Sequence, residues 1–191
     1  MALDPGNYTG TYKLIGGSPS LDFANLVSYR GTGREHDWLI PRANAGRWAA
    51  AVGLPKARPA ELDSLPDLRE LIARIFLAVV DGLNPRPEDV AALGRSAVES
   101  ASERDLRFDN GRRVAAWSAG VSSLTEELTR DAVRLLTSAE RLSRVAACVE
   151  CRWLFCDTSR NHSRRWCDPA DCGNRSRQRR HYRYTHGTER R

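Results

Sequence analysis

Five cysteines lie within 25 positions of this 191-residue chain, from Cys148 to Cys172, and the 147 residues before them contain none. Four of the five form two short pairs. Cys148 and Cys151 make a CxxC, fifteen residues follow, and Cys167 and Cys172 stand with four residues between them. Two thiol pairs separated by ~15–20 residues is the spacing of a structural zinc site. A tight CxxC turn presents two sulfurs from one side, and the start of a helix presents two more.

The rest of the chain bears on what the thiols do. "MALDPGNYTG" has no basic start followed by an apolar run, and the longest greasy stretch, Ile75 to Val80, is far below the ~20 residues a membrane span needs. The expectation is a cytoplasmic protein with no membrane partner, in a compartment that keeps thiols reduced. Clustered cysteines then argue for metal or catalysis rather than disulfides. Zn2+ at Cys148, Cys151, Cys167 and Cys172 is the preferred reading, with an iron–sulfur cluster as the metal rival. Unliganded thiols are the plain alternative, and His162, His181 and His186 are spare candidate ligands. Cys156 is left over. It is either a small apolar residue or a reactive thiol beside a basic, metal-bearing unit, which would make it a redox sensor.

Between the cysteine pairs, "RWLFCDTSRNHSRRW" reads as a short hairpin with Trp153, Phe155 and Trp166 as its apolar content. After Cys167, Asp168 is a helix cap, Pro169 a first helical residue, and Cys172 falls in the first turns. Knuckle, hairpin and helix make a treble-clef-like unit. So small a unit buries little, and metal binding would supply part of its folding free energy.

Charge is distributed unevenly. The net charge is +6, yet residues 152–191 hold 11 Arg against four acids, and residues 1–151 hold 19 basic and 20 acidic residues. A basic tail on a neutral body suits a polyanion. The 28 Arg against 2 Lys also point to a GC-rich coding sequence. Arg175, Arg179 and Arg183 recur every four residues and share a helical face, with Arg180 beside them and Arg177 farther round. Arg164 and Arg165 stand between the cysteine pairs. Candidate DNA contacts are Arg164, Arg165, Asn174, Arg175, Arg177, Arg179, Arg180 and Arg183. Tyr182 and Tyr184 read as packing residues. The same charge also suits RNA, an acidic protein, or simply water.

The body before the cysteines reads as α+β and mostly helical, over residues 10–140, with the finger over 145–187. "YKLIGGSPSLDFANLVSY" suggests a β-hairpin around Gly16-Gly17-Ser18-Pro19, with Leu21, Phe23, Asn25 and Val27 alternating against Asp22, Ala24 and Leu26. A helix should begin near Pro41, bury Trp48, Ala51 and Val52, and end at Gly53. Ser64 to Asp67 resembles a capping box, and Leu68, Leu71, Ile72, Ile75, Phe76 and Val79 form one helical stripe behind it. A further helix starts near Pro87 with Glu88 and Asp89 in its first turn. "LRFDNGRRVAAW" reads as a hairpin turning at Asp109-Asn110-Gly111, and Leu124, Leu128, Ala132, Leu135 and Leu136 mark the last long helix of the body. Trp38, Trp48 and Trp117 are core or interface candidates.

No nucleophile–base pair, phosphate loop or open metal site is legible, and a four-cysteine zinc site leaves no position for water. An enzyme is therefore not expected. Asp22, Asn25 and Arg30 are candidates for a small-molecule effector site in the body, with turn and strand-edge roles preferred.

"SRNHSRRWCDPADCGNR" resembles the CGNR zinc finger, named for the tetrapeptide Cys172-Gly173-Asn174-Arg175. The likeness runs from Cys148 to Tyr184 and takes in CxxC, Phe155 and Asp157, Ser159-Arg160-Asn161 and Arg165-Trp166-Cys167. It implies the same four zinc ligands, with Cys156 at an ordinarily aliphatic place, and double-stranded DNA as partner. "LDFANLVSYRG" and "DWLIPRANAGRWAAAVGL" are similar to the opening strand and first helix of the ABATE domain, over residues 14–140. That family is described as stress-induced transcription regulators. The resemblance implies a DNA-binding regulator whose N-terminal domain senses a signal or forms a homodimer.

Overall fold

The helical stripe of the body does what its period requires. In the computed structural model, which describes residues 13–31, 33, 35–101, 106–109, 113–117 and 123–186, α3 (Leu65–Val80) buries Leu68, Ile72, Ile75 and Phe76 and leaves Leu71 and Val79 half-buried. Facing it, α5 (Leu124–Leu136) buries Leu124, Leu128, Ala132 and Leu135. Leu136 stays half-buried. Ser123 caps α5 by accepting from the Glu126 amide at 3.1 Å. Between them in the chain, α4 (Pro87–Ala101) carries Glu88 and Asp89 in its first turn and packs on α5. The strands β3 (Leu106–Asp109) and β4 (Val114–Trp117) pair antiparallel, Leu106 opposite Trp117, as the hairpin reading expects. Its tip, Asn110-Gly111, and the side chain of Trp117 lie outside the described residues.

The expected first hairpin is a helix instead. Residues Pro19–Ala24 form α1, with Pro19 opening its first turn. The Asp131 carboxylate on α5 anchors that turn, accepting from the Ser20 amide at 2.9 Å, from the Ser20 hydroxyl at 2.6 Å and from the Ser18 hydroxyl. Leu21, Asp22, Phe23 and Ala24 are all buried, so the run carries no one-sided period and imitates an alternating strand. Pairing falls one step later. A two-residue β1 (Val27–Ser28) lies antiparallel to β2 (His36–Asp37).

Two helix starts also shift. Pro41 lies outside α2 (Ala43–Ala51), whose inner face is Ala45, Trp48 and Ala49, while Ala51 is exposed. The Asn44 amide holds this start by donating to the carbonyls of Trp38 at 3.0 Å and Ile40 at 3.1 Å. Gly53 ends the helix at φ +70°, as read. At α3 the Ser64 hydroxyl turns back to the Glu61 carbonyl at 3.0 Å and makes no capping box. Ser64 is itself helical at φ −92° and ψ −14°, not in the extended conformation of a capping residue. Beside it, the buried Glu61 carboxylate accepts from the amides of Arg58 at 2.7 Å and Thr125 at 3.0 Å, tying the 3-10 turn Pro59–Glu61 to the start of α5.

After α5 and the short α6 (Ala139–Leu142) the chain enters β5 (Val145–Ala147), the cysteine knuckle and β6 (Leu154–Cys156). Val145 and Leu154 belong to the same buried core as Phe23, Trp48 and Phe76. The finger is therefore docked into the body rather than strung behind it. Trp38 and Trp48 are core residues, as expected. No helix among the described residues is long and apolar enough to cross a membrane.

Candidate metal centre and basic helix

The hairpin of the finger sits elsewhere than its sequence suggests. Its strands flank the CxxC instead of following it. β5 and β6 pair antiparallel, Val145 opposite Cys156 and Ala147 opposite Leu154. The knuckle closes them: the Cys148 amide donates to the Trp153 carbonyl at 2.8 Å and the Arg152 amide to the Cys148 carbonyl at 2.9 Å. Alternation along β6 then divides the finger. Leu154 and Cys156 face the body core, and Phe155 faces the cysteines.

Residues 157–166 form an irregular loop folded around Asp157, whose buried carboxylate accepts from the amides of Ser159 at 2.7 Å and Arg164 at 3.0 Å. The loop returns to the knuckle where the Val149 amide meets the Arg165 carbonyl at 3.1 Å. Asp168 caps a turn rather than the helix itself, accepting from the Ala170 amide at 2.8 Å and pairing with Lys13. Helix α7 (Cys172–His186) begins three residues beyond Pro169.

These segments bring the four cysteines together. Cys148, Cys151, Cys167 and Cys172 are buried, and their sulfurs all lie within 4.8 Å of one another. The separations Cys151–Cys167, Cys167–Cys172 and Cys172–Cys151 are 3.5, 3.5 and 3.6 Å. Four sulfurs ~2.3 Å from one ion stand about 3.8 Å apart in a tetrahedron. A single tetrahedral ion fits this spacing, whereas an iron–sulfur cluster needs its sulfurs spread wider around a larger centre. His162 and His181 are exposed and outside the group; the His186 side chain lies outside the described residues.

Cys156 is not part of the centre. It is half-buried against Gly17, its amide donates to the Gly16 carbonyl at 2.8 Å, and burial pushes its thiol up. A sensor thiol needs the opposite shift. Cys156 is a small residue wedged between finger and body, one of the two roles its sequence allows.

The basic helix has two unlike sides. At 3.6 residues per turn, Arg175 and Arg179 point one way with Arg183 beside them, Arg177 and Tyr184 point nearly opposite, and Arg180 lies between. The side with Arg175 and Arg179 faces the protein. Arg175 donates to Cys172 Sγ at 3.1 Å and to the Tyr29 hydroxyl, and lies 3.2 Å from Asp171. Arg179 pairs with Glu150 of the knuckle. Arg164 is also turned inward. It lies 4.4 Å above the Phe155 ring and donates to the Trp166 carbonyl at 3.0 Å and to that of Cys167. Arg165, Arg177, Arg180 and Arg183 are exposed. Asn174 holds its own turn, donating to the Ala170 carbonyl at 2.6 Å and accepting from Arg177. Tyr182 and Tyr184, expected to pack against the finger, are 63% and 82% exposed.

The body residues singled out for an effector are structural. Asp22 accepts from the Gly16 amide at 2.8 Å. Asn25 holds Leu154, and Arg30 pairs with Glu70 and donates to the Ala24 carbonyl at 2.9 Å. Tyr29 and Lys13 were not legible as partners of the finger, nor Glu150 as the partner of Arg179. Nothing local marks them, since each is set by the docking of segments far apart in sequence.

Comparison with known families agrees with this geometry. Residues 17–139 match ABATE, described as "Putative stress-induced transcription regulator", and residues 144–184 match the CGNR zinc finger. Neither family is one of enzymes. No functionally curated protein matches the chain. A buried four-cysteine centre under a basic helix, joined to an α+β body matched over most of its length, places the chain in the ABATE family, with a CGNR zinc finger following the ABATE domain.

Proposed function

We propose that the chain is a zinc-dependent DNA-binding transcription regulator. Cys148, Cys151, Cys167 and Cys172 hold Zn2+, and α7 lies along duplex DNA. The observation that carries this reading is the row of exposed arginines on α7. The helix starts at a metal ligand, so the centre fixes its base, and it carries Arg177, Arg180 and Arg183, spaced by three and exposed, with no acidic side chain among residues 172–186. Such a row suits the regularly spaced phosphates of a duplex, and arginine also suits guanine edges in the major groove. Arg165, exposed on the loop, is placed to add a backbone contact. Asn174 orients Arg177. Arg164 and Arg175 serve the frame of the finger, and Arg179, already paired with Glu150, contributes less than its neighbours.

The test is the salt dependence of binding to a mixed-sequence duplex by fluorescence anisotropy. Each lost phosphate contact lowers the log–log salt slope by about 0.9. Arg177→Ala/Arg180→Ala should lower it by roughly two such steps, and Arg179→Ala by less than one. An unchanged slope in the double variant would remove this face from the interface. Tighter binding to single-stranded RNA at matched salt would move the function to RNA.

A further inference from the structure

Among the described residues, the Arg175 side chain donates both to a sulfur of the four-cysteine group and to the body. Its guanidinium donates to Cys172 Sγ at 3.1 Å and to the Tyr29 hydroxyl, lies 5.7 Å from the centroid of the Tyr29 ring, and stands 3.2 Å from Asp171. Tyr29 follows β1 in the body, 146 residues earlier in the chain, at φ +55°. Together with Ile15 it packs against the cluster formed by the four cysteines and Phe155.

We infer that Arg175 is the residue that couples the metal centre to the N-terminal domain, holding zinc through Cys172 while Tyr29 holds Arg175. The inference rests on the zinc reading of the four cysteines and does not depend on DNA binding.

Charge gives the reason. A closed site of four thiolates and one Zn2+ carries roughly two negative charges in excess. In a buried cluster that excess is costly unless cations or hydrogen-bond donors face it. The sulfur of Cys172 has one such donor in Arg175, and a planar guanidinium can serve the sulfur and the phenol oxygen from different nitrogens at once. Partners one shell beyond a metal's ligands fix ligand orientation and commonly govern affinity by roughly 10- to 100-fold. Here that shell is completed by a residue of the other domain. Any change in the body that moves Tyr29 then reaches the first turn of α7, where Cys172 and Arg175 sit on one side.

The experiment is equilibrium competition for zinc between the full chain and a chromophoric chelator. It uses wild type, Arg175→Ala, Arg175→Lys, Tyr29→Phe, and the double variant Tyr29→Phe/Arg175→Ala. Arg175→Ala should weaken zinc by roughly 10- to 100-fold. Arg175→Lys, which keeps charge but cannot serve both partners, should recover only part. Tyr29→Phe should weaken zinc in the same direction by a smaller factor and add nothing on top of Arg175→Ala, because the two act as one unit. Wild-type zinc affinity in Arg175→Ala would overturn the inference. So would a Tyr29→Phe effect that is absent or simply additive. Should Arg175→Ala not fold, Arg175→Lys and Tyr29→Phe alone decide it: unchanged affinity in both refutes the coupling. Failure of the zinc reading itself looks different, because the wild type would then take up no zinc.

Discussion

Asn25 is the most exacting point at which to perturb the join between body and finger. Its side-chain amide donates to the Leu154 carbonyl at 2.8 Å, and its carbonyl oxygen accepts from the Leu154 amide at 2.7 Å. Both residues are 2% exposed, so neither backbone group can turn to water instead. Asn25→Ala therefore leaves one buried N–H and one buried C=O unpaired at the start of β6. Each unpaired group costs about 1–3 kcal/mol, so the loss is about 2–6 kcal/mol together. In a chain of this size that lowers the melting temperature by roughly 5–20 °C. Asn25→Asp should do no better at neutral pH, since it sets a carboxylate oxygen against the Leu154 carbonyl. The assay is urea unfolding followed in parallel by tryptophan fluorescence and by zinc release to a chromophoric chelator. The two signals should move together and shift to lower urea in both variants, because Leu154 belongs to the body core while its neighbour Phe155 belongs to the cysteine cluster. A loss below about 1 kcal/mol, the low end for even one buried unpaired group, would refute the reasoning. So would zinc release at a urea concentration where the body is still folded.

Three further outcomes follow from the same structure. Burial, reinforced by Asp131 and opposed by hydrogen bonds from Gly16 and Ile15, pushes the Asp22 carboxyl up to about 6 from 3.8. The folded protein thus binds this proton more tightly than the unfolded chain. Asp22 adds stability as pH falls through about 6 and loses it above, by about 1 kcal/mol between about pH 5 and pH 7. Urea midpoints at the two pH values should show this difference in wild type and not in Asp22→Asn, against the background of the other carboxyls. A Cβ on Gly16 would stand 2.8 Å from the Asp22 amide nitrogen, while one on Gly173 would meet Trp166 at 3.7 Å and Pro169 at 3.8 Å. Gly16→Ala should cost about 1–3 kcal/mol; Gly173→Ala, in a helix with ordinary contacts, should be neutral or stabilising by up to about 1 kcal/mol. Thermal melts of the two variants that coincide would contradict this. Cys156, its thiol pushed up by burial, should react with iodoacetamide more slowly than free cysteine in the zinc-loaded protein. Faster labelling there, read by mass spectrometry, would favour the sensor reading.

What the sequence made legible follows from which forces are local. The thiol spacing, the stripe from Leu68 to Phe76 and the β3–β4 strands each depend on residues near one another in the chain, and each forms. Helix α1 was hidden because a short, wholly buried helix has no polar side to give it a period, and its start is anchored by Asp131, more than a hundred positions away. The capping box at Ser64 does not form because Ser64 is already helical and its hydroxyl turns back to the Glu61 carbonyl. The finger's hairpin was misplaced because β5 looks like the end of the preceding helix until it pairs with β6. Within α7 the arginines surround the helix, and composition alone does not say which side faces the protein. Tyr29 and Glu150 decide that by taking Arg175 and Arg179. The four-cysteine group was thus readable from spacing, and the face of the basic helix was not.

The central claim is that a zinc-held helix binds duplex DNA. It is tested most directly by titrating one fluorescent duplex with the full chain, zinc-loaded and chelator-stripped, across a range of salt. The account predicts one zinc per chain, salt-dependent binding by the loaded protein, and its loss on stripping with recovery when zinc is returned. Equal binding with and without zinc, or none by the loaded protein even at low salt, would contradict it.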